Sequence, residues 1–168
     1  MKTSKIYPIP FLAALIILCC IILAGCNFSR GVKTDLITGL KISYKGFGVQ
    51  DAILLDAGGK KINSNKVQLN TKIAIAALGV EHYGLKDGKA YPGLSLLVTD
   101  KNGKTLLNAA DLFENTEGYA PAQAAQLQGT ITVGSPMASG QSYHVKMHIW
   151  DKVTPTNEIN ADVDLIVM

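Results

Sequence analysis

Gly140-Gln141-Ser142-Tyr143-His144-Val145-Lys146-Met147-His148-Ile149-Trp150-Asp151 is the stretch that decides the fold. From Tyr143 to Ile149 every second residue is aliphatic, thioether or aromatic, and the residues between are polar or amphipathic. A period of two belongs to a half-buried β-strand, because successive side chains leave a pleated backbone on opposite faces. Tyr143, Val145, Met147 and Ile149 are therefore expected to face a core, and His144, Lys146, His148 and Trp150 to lie on the wet face.

The same rhythm extends outward in both directions. Leu40, Ile42 and Tyr44 alternate with Lys41, Ser43 and Lys45, and Val49 to Leu55 predicts a second strand before the turn Ala57-Gly58-Gly59-Lys60. Lys72 to Val80 is apolar on both parities, which predicts a central strand covered on both faces. Leu94, Leu96 and Val98 run into Asp100-Lys101-Asn102-Gly103, whose residue types accept the backbone angles of a hairpin, with Lys104 to Leu107 returning. Leu127 to Val133 shows Gln128, Thr130 and Thr132 on its wet parity, and Ala161 to Met168 predicts the last strand. No long stretch keeps a helical period. Only residues 108–126 break the rhythm, with one or two helical turns expected around Asp111-Leu112-Phe113 and Ala120-Pro121-Ala122-Gln123. The whole reads as an all-β sandwich of about 7–9 antiparallel strands carrying one long connection.

Gly140 to Met147 resembles the corresponding strand of immunoglobulin-like domains, in which a tyrosine at this place closes a corner by hydrogen-bonding backbone upstream. The resemblance implies an immunoglobulin-like β-sandwich over residues 39–168, without the paired cysteines of antibody domains. A fold class of this kind names no chemistry.

The N-terminus carries a separate signal. Lys2 and Lys5 precede an uncharged apolar run from Phe11 to Leu23, which ends in Leu23-Ala24-Gly25-Cys26. The run is short for a membrane span, and Pro8 and Pro10 crowd its start. The order of charged, apolar and small residues is that of an export leader. The last four residues resemble the lipobox of bacterial lipoproteins. That resemblance implies cleavage before Cys26, acylation of its thiol, and an envelope protein held in a membrane, most readily the outer one. Residues 1–25 would be the signal peptide and 26–38 a lipidated, flexible tether. Two or more acyl chains would make the anchoring durable, since one chain holds only reversibly.

Cysteine and charge counts narrow the rest. Of three cysteines, Cys19 and Cys20 leave with the leader and Cys26 is taken by lipid, so stability rests on the apolar core without disulfides. The chain has 16 basic and 13 acidic residues, and the leader removes two of the basic ones. A near-balanced, unclustered charge leaves no phosphate-tracking footprint and disfavours nucleic acid.

No residue set spells out catalysis. His144 and His148 stand roughly 13 Å apart on one strand, too far for one ion, and no spacing supplies three convergent ligands. Asp51, Asp56, Asp87, Asp100 and Asp151 fall at strand ends, where aspartate shapes turns through its own side chain. Ser135 lacks a nucleophile-elbow context. Neither cofactor nor metal is expected, and no enzyme activity. The leading expectation is a membrane-anchored, non-catalytic domain that binds protein or glycan or serves in an envelope assembly. Its candidate surface comprises Trp150, His148, Phe113 and Tyr119, rings able to stack on a partner. The alternative is an enzyme or metal-dependent site in the 108–126 connection, which a convergence of Asp111, Glu114, Glu117 and a histidine would favour.

Overall fold

The computed structural model describes residues 29–168, so the expected leader and the expected acylation site at Cys26 lie outside the described residues. Within them the decisive stretch forms β11 (Ser142–Asp151), paired antiparallel on one side with β12 (Glu158–Val167) and on the other with β8 (Pro92–Asp100). The sheet grows outward through β2 (Lys41–Lys45) and β1 (Arg30–Thr34) beyond β12, and through β9 (Thr105–Ala109) beyond β8. A two-residue strand, β4 (Lys66–Val67), joins β12 in parallel. The facing sheet has the order β10–β5–β3, formed by β10 (Gln126–Val133), β5 (Thr71–Leu78) and β3 (Asp51–Asp56). β6 (Leu85–Lys86) and β7 (Lys89–Ala90) make a small ribbon, and the single helical turn α1 (Pro121–Ala124) sits in the long connection. Nine of the twelve strands among the described residues exceed two residues, and the architecture is an all-β sandwich.

The core forms where the two inner faces meet. Tyr143, Val145, Met147 and Ile149 are at most 5 % exposed, as the parity of β11 requires. They lie in one apolar cluster with Leu94, Leu96 and Val98 of β8, Val163 and Leu165 of β12, and Ile73, Ile75 and Leu127 from the opposite sheet. Each such aliphatic side chain contributes roughly 1.5–3 kcal/mol by leaving water. The sheets come close at Gly129, where a Cβ would stand 2.8 Å from the Leu96 side chain, so β10 crosses β8 there only because that position has no side chain.

Two turns use one device. Asp56 Oδ1 accepts from the amides of Gly58 and Lys60, and Asp100 Oδ1 from those of Asn102 and Lys104, with Gly59 and Gly103 at positive φ closing each loop. The corner expected at Tyr143 also forms, its hydroxyl accepting from the Ala138 amide five residues upstream at 2.8 Å.

Two expectations need correction, and one holds. The tether expected over residues 26–38 is not a free linker, because Arg30–Thr34 form β1 in five-residue register with Lys45–Lys41, and the ordered domain begins before residue 39. β1 escapes a hydrophobic-pattern reading because none of its residues is fully buried: Gly31 packs on the Tyr44 ring and Lys33 Nζ donates to the Val49 carbonyl at 2.9 Å. β5 is central and buried on both parities from Ile73 to Ala77, as its doubly apolar sequence predicts; on the parity away from the main core Ala74 and Ala76 cluster with Leu55, Ile53 and Leu78. The last strand begins at Glu158, three residues before Ala161, since Ile159 continues the buried parity.

The burial of β11 yields a direct test. Val145→Asp and Ile149→Asp each place an unpaired charge at a fully buried position and should cost several kcal/mol, whereas Lys146→Asp at an exposed position should cost less than about 1 kcal/mol. Thermal melts of the three variants rank them, and Lys146→Asp as the most damaging would mean the register is off by one residue.

Candidate functional site

The sandwich has two chemically different ends. At one end a row of residues runs across the large sheet, Arg30–Lys45–Glu158–Trp150–Gly93, each paired with the next on the neighbouring strand. Trp150 is half-buried and its indole covers Gly93, where any side chain would collide with the ring. It stacks on His148 with centroids 5.2 Å apart and planes at 28°. Ser95, Ala110, His148, Trp150, Pro155 and Glu158 line a shallow depression of about 390 Å³ there. The histidines do not meet: His144 Nδ1 lies 2.7 Å from Asp164 Oδ1, and His148 Nε2 lies 3.5 Å from Glu158 Oε2, each pairing across to β12.

Phe113 and Tyr119, expected to share a surface with Trp150, pack on each other edge to face at 5.7 Å, and Phe113 rests against the core. Neither lines the depression. They fasten the long connection instead. Asp111 does the same work at its start: its Oδ2 pairs with Lys152 Nζ at 2.7 Å and its Oδ1 accepts from the amides of Leu94 and Phe113. Lys152 Nζ also donates to the Phe113 carbonyl at 2.7 Å. Glu114 and Glu117 point to solvent, so the carboxylates that would have marked a catalytic or metal site do not converge. Among the described residues no group of three His, Cys, Asp or Glu side chains is placed to hold a metal ion.

Asp151 is the one carboxylate fully buried at this end. Its Oδ2 accepts from the Gly84 amide at 2.6 Å and its Oδ1 from the Val153 amide at 2.9 Å, tying the β5–β6 loop to the β11–β12 loop. Beside it Tyr83 donates to the Ala124 carbonyl and meets Phe47 edge to face at 4.9 Å. Burial first, and the Asp151 charge second, push the Tyr83 hydroxyl pKa well above the usual tyrosine value, so it stays a protonated donor.

The opposite end holds the larger opening, a cleft of about 570 Å³ between the β3–β5 segment and the start of β5. Ile62, Val67 and Ile73 supply an apolar floor that continues the core. Lys60, Lys61, Lys66 and Lys72 stand around it, all exposed, and Asp56 is the only acid in the lining. One oxygen of Asp56 is already committed to its turn. Among the described residues none of the four lysines is within ion-pair distance of a carboxylate. The β1–β2 turn lies close by, with Leu36 92 % and Ile37 68 % exposed. Its Asp35 carboxyl is held below the ordinary value chiefly by the Ile37 amide and, to a smaller degree, by the charge of Lys61. Parity reading missed this cleft because its lysines are spread over a loop (Lys60, Lys61), the two-residue β4 (Lys66) and the start of β5 (Lys72); their density over residues 60–72, four among thirteen, was the available signal.

The Asp111 contacts give a pH prediction. Burial pushes its carboxyl up, but the Lys152 hydrogen bond and the Phe113 and Leu94 amides outweigh burial and hold it below 3.8. A depressed folded pKa contributes stability above the unfolded value and loses it as pH falls through the folded one. Asp111→Asn should therefore lower stability by about 1–3 kcal/mol at neutral pH, with the gap to wild type closing at strongly acid pH. Denaturation at pH 7 and near pH 2.5 checks it; a gap unchanged between the two would show that the charge of Asp111 is not what holds the connection.

No family model and no curated protein matches this chain. Among solved structures it is similar to chicken MD-1 complexed with lipid IVa, at 14% identity and a TM-score of 0.32, over 83% of this chain and 99% of that one.

Proposed function

We propose that the protein is a membrane-anchored, non-catalytic binding module whose site is the lysine-rimmed cleft and whose ligand is an anion with an apolar portion. The cleft carries the reading. A floor of Ile62, Val67 and Ile73 favours a hydrocarbon or aryl group through the loss of water-exposed apolar surface. Four surrounding ammonium groups with a single partly committed carboxylate favour negative charge at the mouth. The exposed Leu36 and Ile37 beside it extend the apolar contact. The anchor reading rests on Leu23-Ala24-Gly25-Cys26 after its charged and apolar leader.

A fluorescent long-chain fatty acid, held below its critical micelle concentration, tests the cleft. It should bind with an affinity that falls as salt rises, while its methyl ester and inorganic phosphate, each lacking half the required chemistry, bind far more weakly. Lys61→Glu combined with Lys66→Glu should weaken binding about tenfold, on the order of 0.7 kcal/mol for each reversed surface charge. Binding that is equal in the double variant, or equal for acid and ester, would remove the lysines from the site. The anchor has its own test: an alkyne fatty acid fed to expressing cells should label the wild type and miss Cys26→Ser, and equal labelling of both would sink it.

A further inference from the structure

We infer that the Trp150 end of the sandwich lies against the bilayer that holds the lipid anchor, and that the cleft at the opposite end points away from it. The inference rests on acylation of Cys26 and goes beyond it by assigning a membrane-contacting surface and an orientation. Four residue steps separate Cys26 from Arg30, a reach of ~14 Å even when fully extended. Arg30 is not loose chain but the first residue of β1, locked opposite Lys45. An anchor at Cys26 therefore holds one particular edge of the large sheet within ~14 Å of the lipid headgroups.

Trp150 lies on that edge, in the cross-strand row that begins at Arg30 and three strand spacings from it, roughly 14 Å. Around it the same end exposes side chains that water does not favour. Leu85 is 53 % exposed, Leu112 47 % and Val153 39 %. They are neighbours in space as well: Gly84, next to Leu85, packs on Val153, and Asp111, next to Leu112, pairs with Lys152. Buried Asp151 holds the two loops together by accepting from Gly84 and Val153, so the apolar groups stand on a fixed platform. Charge does not decide the contact, because Glu81, Asp87 and Glu158 stand among Arg30, Lys45, Lys86 and Lys89 at this end, while Asp111 and Lys152 pair with each other. Tryptophan and scattered aliphatic residues beside mixed charge suit the headgroup boundary of a bilayer, where an indole keeps its ring in the apolar zone and its N–H in the wet one.

Trp150 is the only tryptophan of the chain, so its fluorescence reports this surface alone. The acylated full chain is reconstituted into phosphatidylcholine vesicles. A phospholipid spin-labelled near the glycerol end of its acyl chain should quench Trp150, and aqueous iodide should quench it less than half as well as in Cys26→Ser, which has no anchor. An environment-sensitive dye on Leu36→Cys, at the far end, should report water. Leu85→Asp with Val153→Asp, both exposed positions, should cut the lipid quenching by at least half while an unchanged melting temperature shows the fold intact. An acylated chain whose Trp150 stays fully open to iodide, or whose dye at residue 36 enters the bilayer instead, overturns the orientation and leaves the anchor standing. Failure of the anchor itself shows separately, as equal vesicle attachment by wild type and Cys26→Ser.

Discussion

The structure depends on β11 being hydrogen-bonded along both edges while presenting only apolar atoms to one face. Its nine-residue registers with β12 and β8 put Val145 between Val163 and Val98, and Ile149 between Ile159 and Leu94. Those rows make the large sheet one rigid surface, and the smaller sheet can pack on it only where its own inner residues fit. A slip of one residue would turn His144, Lys146, His148 and Trp150 inward and exchange a dry face for one with three ionisable groups. That penalty fixes the register more strongly than any single contact. The Gly129 crossing, the Tyr143 corner and the two aspartate-closed turns are refinements of a pairing already decided.

Much of this was legible in the residues, and the reason is physical. β8, β10, β11 and β12 each bury one face only, so hydrophobicity alternates with the pleat and can be read directly. Elements that do not split their faces this way stayed hidden. β1 buries none of its five residues and holds its place through edge pairing and the reach of Lys33. The β6–β7 ribbon is too short to carry a period, although Asp87-Gly88, both at positive φ, is a hairpin turn in the residue types themselves. β5 was legible for the opposite reason: its run is apolar on both parities, and both are buried from Ile73 to Ala77.

The candidate site was less legible still. Trp150 and His148 stand where parity puts them, and stack as neighbours on one face must, but Phe113 and Tyr119 belong to a different contact that sequence distance could not foresee. The lysine cleft depends on β3, β4 and β5 meeting at one end, a tertiary fact with no local trace beyond a concentration of ammonium groups. The long connection, which drew attention as the one irregular stretch, is occupied with holding itself down: Asp111, Lys152, Phe113 and Tyr119 all satisfy one another.

The placement of β1 also settles how the domain would bear a pull. The strand starts at Arg30, at the Trp150 end of the sheet, and runs toward the end that carries the cleft. A force between an anchored Cys26 and something held in the cleft acts along the strands, not across them. It loads the five β1–β2 rungs together in shear, where hydrogen bonds must fail as a group, instead of opening them one at a time like a zipper. Lys33, gripping the Val49 carbonyl on the neighbouring loop, adds a sixth attachment against the same sliding motion. An edge strand with almost no buried surface can thereby serve as a mechanically resistant strap.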